Sequence, residues 1–235
     1  MSQHYHYPAR AEFAKRLAAK PVPGGIKMAA LGAAVVGIAV FVFGLFSNAD
    51  RAWQALHFNW LFFATISSAG AAFAAVQRIV TARWSRPVVR FAEGYVAFLP
   101  VAFVILLLIL FPGREHIFTW AGRETISVAE KARYLQPGWF VLRGIFFFGA
   151  MMVLQLLFVY HSIRMDVAVL PEYGAKWAAG LRAKMRAGFG DERRELHTQH
   201  SLQGKLGVAV CISFVVGWCF MAWDYSMSIS LHFQQ

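Results

Sequence analysis

The sequence predicts an all-α membrane protein, and three observations carry that reading. Five apolar runs are each long enough to cross a hydrocarbon core, which takes roughly 20 helical residues. Hydrophobic residues make up 58% of the 235-residue chain and charged ones only 15%, a balance foreign to soluble domains. The formal net charge of +11 is distributed unevenly along the chain. Lys and Arg number five before the first run, four around Arg78–Arg90 and eight between the last two runs, against one and four in the intervening loops. By the positive-inside bias this predicts a cytoplasmic N-terminus and a periplasmic C-terminus. The basic excess therefore reads as topology, and nucleic acid is not expected as a partner.

The predicted organisation is a basic cytoplasmic arm at 1–27 and a transmembrane bundle over 28–235, with spans at about 27–47, 57–80, 88–111, 137–161 and 206–231. A periplasmic loop at 112–136 and a basic amphipathic cytoplasmic loop at 162–205 connect them. The first run starts too late and is too long for the apolar core of a signal peptide. In the arm, His4 and His6 lack a third metal ligand nearby, so contact with partner subunits is the expected role.

The first span is rich in small and β-branched residues. Its Ala33 and Gly37, four apart, form a small-xxx-small pair suited to close helix approach. The second span opens with His57 and Asn59 and carries Thr65, Ser67 and Ser68 at mid-depth. Hydroxyls there bond their own helix or a neighbour more often than they line a hydrated path.

The third span holds the segment around which the chain is organised. A basic cluster, Arg83, Arg86 and Arg90, leads into an apolar run that contains one acid, Glu93. An unpaired carboxylate in hydrocarbon costs about 2.5–3.5 kcal/mol on insertion scales, so Glu93 is expected to face protein or water, with Arg90 at i−3 its nearest partner. Pro100, near the middle of the span, removes a backbone bond and is expected to kink the helix and let water in. The loop that follows mixes charges with aromatics and reads as a folded element docked against a partner.

Pro137 opens the fourth span at a position suited to proline. Arg143 and His161 lie 18 residues apart, about five full turns, so they share a face. In the loop beyond, Trp177, Leu181, Met185 and Phe189 recur every fourth residue among Lys176, Arg182, Lys184 and Arg186. That pattern fits a basic amphipathic helix on an anionic membrane surface.

The fifth span carries Ser213, Gly217, Asp224 and Ser228 on one stripe. Asp224 falls at the depth of Arg143 and near that of His57, so an Arg143–Asp224 pair would remove two isolated charges together. Cys211 and Cys219, eight residues apart in this span, are about 12 Å apart on a helix, too far for a disulfide, and read as core residues.

The ionisable groups thus sort into two sets. Arg90, Glu93 and His161 belong near one membrane surface; His57, Arg143 and Asp224 belong near the other. Between them lie neutral groups such as Ser67, Ser68, Gln155 and Ser213. The sets suit two proton half-paths, a quinone head-group site, or ion pairs that merely fix helix register. His161 has no companion histidine at its depth, which argues against a b-type haem. No nucleotide loop, nucleophile triad or zinc-protease helix is present, so no catalytic residue is assigned and a stand-alone enzyme is not expected. No metal is assigned either.

Four segments carry a resemblance: WSRPVVRFAE from Trp84 to Glu93, FPGREHIFTW ending at Trp120, YLQPGWFVLRGIFFF from Tyr134, and WDYSMSISLHFQ from Trp223. In order and spacing they resemble the NrfD-type (polysulfide-reductase-like) integral membrane subunits. Within these the chain is most similar to the F subunit of alternative complex III, the bacterial quinol:cytochrome c oxidoreductase. The likeness covers about Ala52 to Gln234.

The resemblance implies a bacterial inner-membrane subunit whose spans form an NrfD-like four-helix bundle. It also implies partners: iron–sulfur and haem c subunits, a sister NrfD-like subunit that binds quinol, and lipids. No cofactor is expected on this chain, with quinone or quinol nearby and a role in proton translocation. Glu93 would correspond to the acid of the family's third span, Arg143 to the base opening the fourth, and Asp224 to the acid of its Asp-x-x-Met-Ser segment. Family members carry a second bundle; another polypeptide, a shortened subunit or an incomplete sequence are the readings open for it here. The alternatives are a purely structural anchor of a redox complex and a small transporter, the latter disfavoured because no inverted repeat or broken helix pair is visible.

Overall fold

The computed structural model describes residues 22–82, 84–121, 126, 129–169 and 178–229. The histidines of the N-terminal arm, Arg83 and Trp177 lie outside the described residues. Helices α1 (Gly24–Ser47), α2 (Ala49–Ile79), α3 (Arg86–Gly94), α4 (Leu99–Leu110), α5 (Arg114–Ile117), α6 (Ala129–Tyr134), α7 (Pro137–Val169), α8 (Ala179–Arg186) and α9 (Glu192–Tyr225) follow one another. Five helical segments are long and apolar enough to cross a membrane: Gly24–Ser47, Ala49–Ile79, Val88–Leu110, Pro137–Ala168 and His197–Ile229.

The helices outrun the apolar stretches that predicted them. Asn48 caps α2, its side chain accepting from the Arg51 amide at 3.1 Å, so that helix begins eight residues before His57. Asp191 does the same for α9, accepting from Arg194 N–H at 3.2 Å, and starts the helix well before Leu206. Hydropathy reports the part of a helix that tolerates oil, whereas the caps report where the helix ends. Much of the region 162–205 is therefore helical, in the end of α7, in α8 and in the start of α9.

α2, α3–α4, α7 and α9 pack on one another, and α1 adds itself through its C-terminal end. Phe41 of α1 meets Trp53 edge-on at 5.3 Å, while nothing lies within 4 Å of where a Cβ on Gly37 would stand. The small-residue face of α1 is thus uncovered by the described residues.

Glycine lets α2 and α3 approach closely. A Cβ on Gly70 of α2 would stand 2.5 Å from the Ala92 carbonyl oxygen and 3.2 Å from Tyr95 Cβ. Only a hydrogen there lets α3 come close enough to turn Glu93 inward.

The α-helical path of the third span is interrupted just before Pro100, as a proline there predicts. The chain tightens into a 3₁₀ turn at Tyr95–Phe98, where the Leu99 amide donates to the Val96 carbonyl, and Val96, Leu99 and Ala102 are fully buried. The loop after α4 docks on its own bundle: Phe118 is buried against Trp120, Phe140 and Tyr225, with ring centroids 5.7, 5.1 and 6.1 Å away. The loop's aromatics have found a core that burial of large rings rewards. Cys219, read as core, is exposed on the bundle's outer face, whereas Cys211 is partly buried.

Replacing Gly70 with valine should destabilise the purified chain by about 1–3 kcal/mol, the usual effect of overpacking, while Gly37→Val leaves the melting midpoint unchanged. Thermal unfolding followed by size-exclusion fluorescence checks the order; equal effects at both sites would refute the packing described for α2 and α3.

Candidate functional site

The two sets of ionisable groups occupy opposite ends of the bundle, and both are anchored on α7. At the first end Glu93 is only 4% exposed, turned inward from α3. Arg90 Nη1 donates to Glu93 Oε2 at 2.6 Å, as the i−3 spacing predicts. Ser162 of α7 completes the carboxylate, donating from Oγ to Glu93 Oε1 at 2.5 Å while accepting from Arg90 Nη1 at 2.7 Å. Arg90 Nη2 reaches the Ser162 carbonyl at 3.0 Å and Asp166 Oδ2 at 2.8 Å. One guanidinium is thus shared between two carboxylates, the buried Glu93 and Asp166, which is 55% exposed.

Beside Glu93 lies a cavity of about 350 Å³, walled by α2, α3, α7 and α9. Gln77, Arg78, Ser85, Arg90, Ser162 and His200 supply its polar lining. Ser85 Oγ and Gln77 Oε1 are buried and have no hydrogen-bond partner among the described residues. Polar walls with unsatisfied groups and this volume suit ordered water.

His161 does not join this cluster. Its Nδ1 pairs with Gln199 Oε1 of α9 at 2.9 Å, and Gln199 Nε2 continues to Glu195 Oε2 at 3.2 Å. Adjacent residues on a helix diverge by about 100°, so Ser162 faces α3 while His161 faces α9. Depth placed the histidine at the right level; azimuth put it in another network.

The middle of the bundle holds a neutral knot. Ser68 Oγ accepts from Gln155 Nε2 at 2.7 Å and from Trp218 Nε1 at 3.1 Å, and points its own hydrogen at Met151 Sδ, 3.4 Å away. Ser68 and Gln155 are completely buried. A thioether accepts weakly and carries no proton, so this chain of donors ends there.

At the far end, Arg143 of α7 grips Asp224 of α9 with two parallel bonds, Nε to Oδ2 at 2.6 Å and Nη2 to Oδ1 at 2.7 Å. Such a fork is the strongest geometry available to a carboxylate. The pair is deep, with side-chain exposures of 10% and 0%. Tyr134 closes it from α6: its hydroxyl donates to Asp224 Oδ1 at 3.0 Å, and its ring lies 3.8 Å beneath the Arg143 guanidinium. The Tyr134 carbonyl accepts from Arg143 Nη1 at 3.3 Å, and Ser228 Oγ donates to the Asp224 carbonyl. Burial, and then the adjacent Asp224 charge, push the Tyr134 phenol up to about 12.

His57 sits next to this pair without bonding to it. It is buried among Trp60, Phe118 and Tyr225, with ring centroids 6.3, 5.6 and 6.1 Å away. Its Nε2 and the Tyr225 hydroxyl are buried and have no hydrogen-bond partner among the described residues. Gly144 makes the room for that hydroxyl, which would collide with any Cβ at position 144.

Sequence reasoning missed Ser162, Asp166, Gln199 and Tyr134. A signal existed for the first two, which lie one turn apart on one helix face. None marked Tyr134, whose role depends on how the loop folds back. Comparison with protein-family models finds no match for this chain, and comparison with curated proteins finds none either.

Removing one partner of the far pair, by Asp224→Leu or Arg143→Leu, should destabilise the chain by about 3–5 kcal/mol, because a buried charge is stranded. The double variant should recover much of that loss; additive losses in a double-mutant thermal unfolding cycle would refute the coupling.

Tyr134 stays neutral in the fold above the ordinary tyrosine value of 10.0, so between pH 10 and about 12 the unfolded chain loses that proton first. Its contribution to stability is therefore complete below pH 10 and disappears as pH rises towards 12. Tyr134→Phe should flatten that segment of the stability profile; an unchanged slope would count against the assignment.

Proposed function

We propose that this chain is an integral membrane subunit of a quinol-oxidising respiratory complex of the alternative complex III type, in a bacterial inner membrane. In this reading it is a scaffold that also contributes a proton half-path. Its partners are a sister NrfD-like subunit that binds quinol, together with iron–sulfur and cytochrome c subunits. The chain itself carries no redox group, and the electron chemistry belongs to those partners. The four family-like segments support the assignment, and the N-terminus is cytoplasmic by the charge bias.

One observation carries the proton role: the buried Glu93 carboxylate borders a polar cavity of about 350 Å³ and shares its guanidinium with Asp166. A carboxylate held between a polar vestibule and the bundle interior suits an acid that collects a proton from one side of a membrane. Asp166, itself exposed, keeps Arg90 paired when Glu93 takes a proton. The Ser68 knot blocks a continuous relay to the far end, so the path in this chain is a half-path. The Arg143–Asp224 fork, with Asp224 fully buried and bonded by Tyr134, favours a structural reading at that end: it fixes the register of α7 against α9.

Glu93→Gln in the assembled complex, reconstituted in vesicles, should lower the number of protons moved per electron while leaving quinol oxidation within about twofold. Assembly is checked by copurification of the cytochrome subunits. An unchanged stoichiometry in a normally assembled complex would remove the proton role and leave the anchor reading.

A further inference from the structure

A second, chemically different groove lies on the outer side of the same cluster. It has a volume of about 470 Å³ and is walled by Val96 and Ala97 of the 3₁₀ turn after α3, by Leu156, Val159 and Ile163 of α7, and by Leu181 and Met185 of α8. Its lining is apolar apart from Arg90, Glu93 and Tyr160. The groove therefore has the chemistry that an amphiphile requires: oily walls with a polar margin.

α8 makes the roof. Met185 is buried and Leu181, 49% exposed, leans over the trough, while Lys184 and Arg186 on either side of Met185 stay exposed. Arg164 of α7 ties the end of α8 down, donating to the Ala187 carbonyl at 3.3 Å and to Glu195 at 3.4 Å.

The geometry points to a site for one anionic phospholipid, with an acyl chain in the trough and the headgroup phosphate at Lys184 and Arg186. Charge decides where the headgroup goes. Arg90 borders the trough, but two carboxylates already hold it, so a phosphate there would meet net negative charge. Lys184 and Arg186 of α8 carry no such burden among the ion pairs described, and basic residues on an amphipathic helix attract anionic lipid. Apolarity favours a lipid chain over a water-soluble ligand, because two of the three walls belong to helices long and apolar enough to cross a membrane, Val88–Leu110 and Pro137–Ala168. The inference needs only the membrane-spanning character of the chain and is independent of the respiratory reading.

The test is native mass spectrometry of the full chain released from nanodiscs of mixed phosphatidylethanolamine and phosphatidylglycerol. One phosphatidylglycerol should remain bound, preferred about tenfold over its abundance, the order expected of one or two basic residues at a membrane surface. Lys184→Glu with Arg186→Glu, both on the surface, should abolish the preference without unfolding the chain. Leu181→Gln should reduce retention of either lipid. No retained lipid in the unaltered chain, retention without headgroup preference, a preference that survives charge reversal, or a quinone extracted in place of phospholipid would each overturn the site.

Discussion

Charge inside a low-dielectric bundle must be neutralised by the chain itself, and that constraint organises this molecule around α7. The helix carries Ser162 and Asp166 to the Arg90–Glu93 cluster at one end and Arg143 to Asp224 at the other. Each cluster clamps a different neighbour, α3 at the first end and α9 at the second. With both made, the rotation of α7 about its axis is fixed twice, some five turns apart. Hydrophobic contact alone would not do this, because in a membrane lipid tails compete equally for every apolar face. Gly70 and Gly144 serve the same purpose from the steric side, letting α3 and the Tyr225 ring come close enough for the polar partners to meet.

Between the clamps the bundle is held by groups that carry no net charge. Ser68 gathers Gln155 of α7 and Trp218 of α9 onto one oxygen, so three helices meet at a single hydroxyl. Trp60 ties α2 to α4 in the same manner, its Nε1 donating to the Ala102 carbonyl at 2.7 Å. These bonds satisfy buried donors and leave the middle tight. The aromatic set of Trp60, Phe118, Phe140, Phe148 and Tyr225 then seals the Asp224 end, where rings occupy the space that polar walls leave open beside Glu93.

What was legible in the sequence follows from how far each inference had to reach. Arg90 and Glu93 lie on one helix turn, so local geometry paired them. Arg143 and Asp224 lie on different helices, and matching depth made them a candidate pair without deciding that the pair forms. His161 failed because depth is one coordinate and a network needs two; the neighbouring Ser162 took the place beside Glu93. Tyr134 and Phe118 were invisible because their positions depend on a loop folding back onto the bundle, which no periodicity encodes. Hydropathy found the five spans and placed several ends too far in. Asn48 and Asp191, the capping residues that set two of those ends, lie outside the apolar runs.

The two clusters look alike as ion pairs yet differ in what happens when a proton arrives. Protonating Asp224 would leave Arg143, 10% exposed, without a counter-charge among the described residues, and would also disturb the bond from Tyr134. Protonating Glu93 leaves Arg90 still held by Asp166 at 2.8 Å, with Ser162 able to rotate its hydroxyl towards whichever oxygen remains an acceptor. The first arrangement resists a change of charge and the second absorbs it. The cavity lies on the side of the second. A structural lock gains nothing from a spare carboxylate, so the distribution of partners, more than the presence of an acid in a span, is what distinguishes the Glu93 cluster from the Asp224 clamp in this bundle.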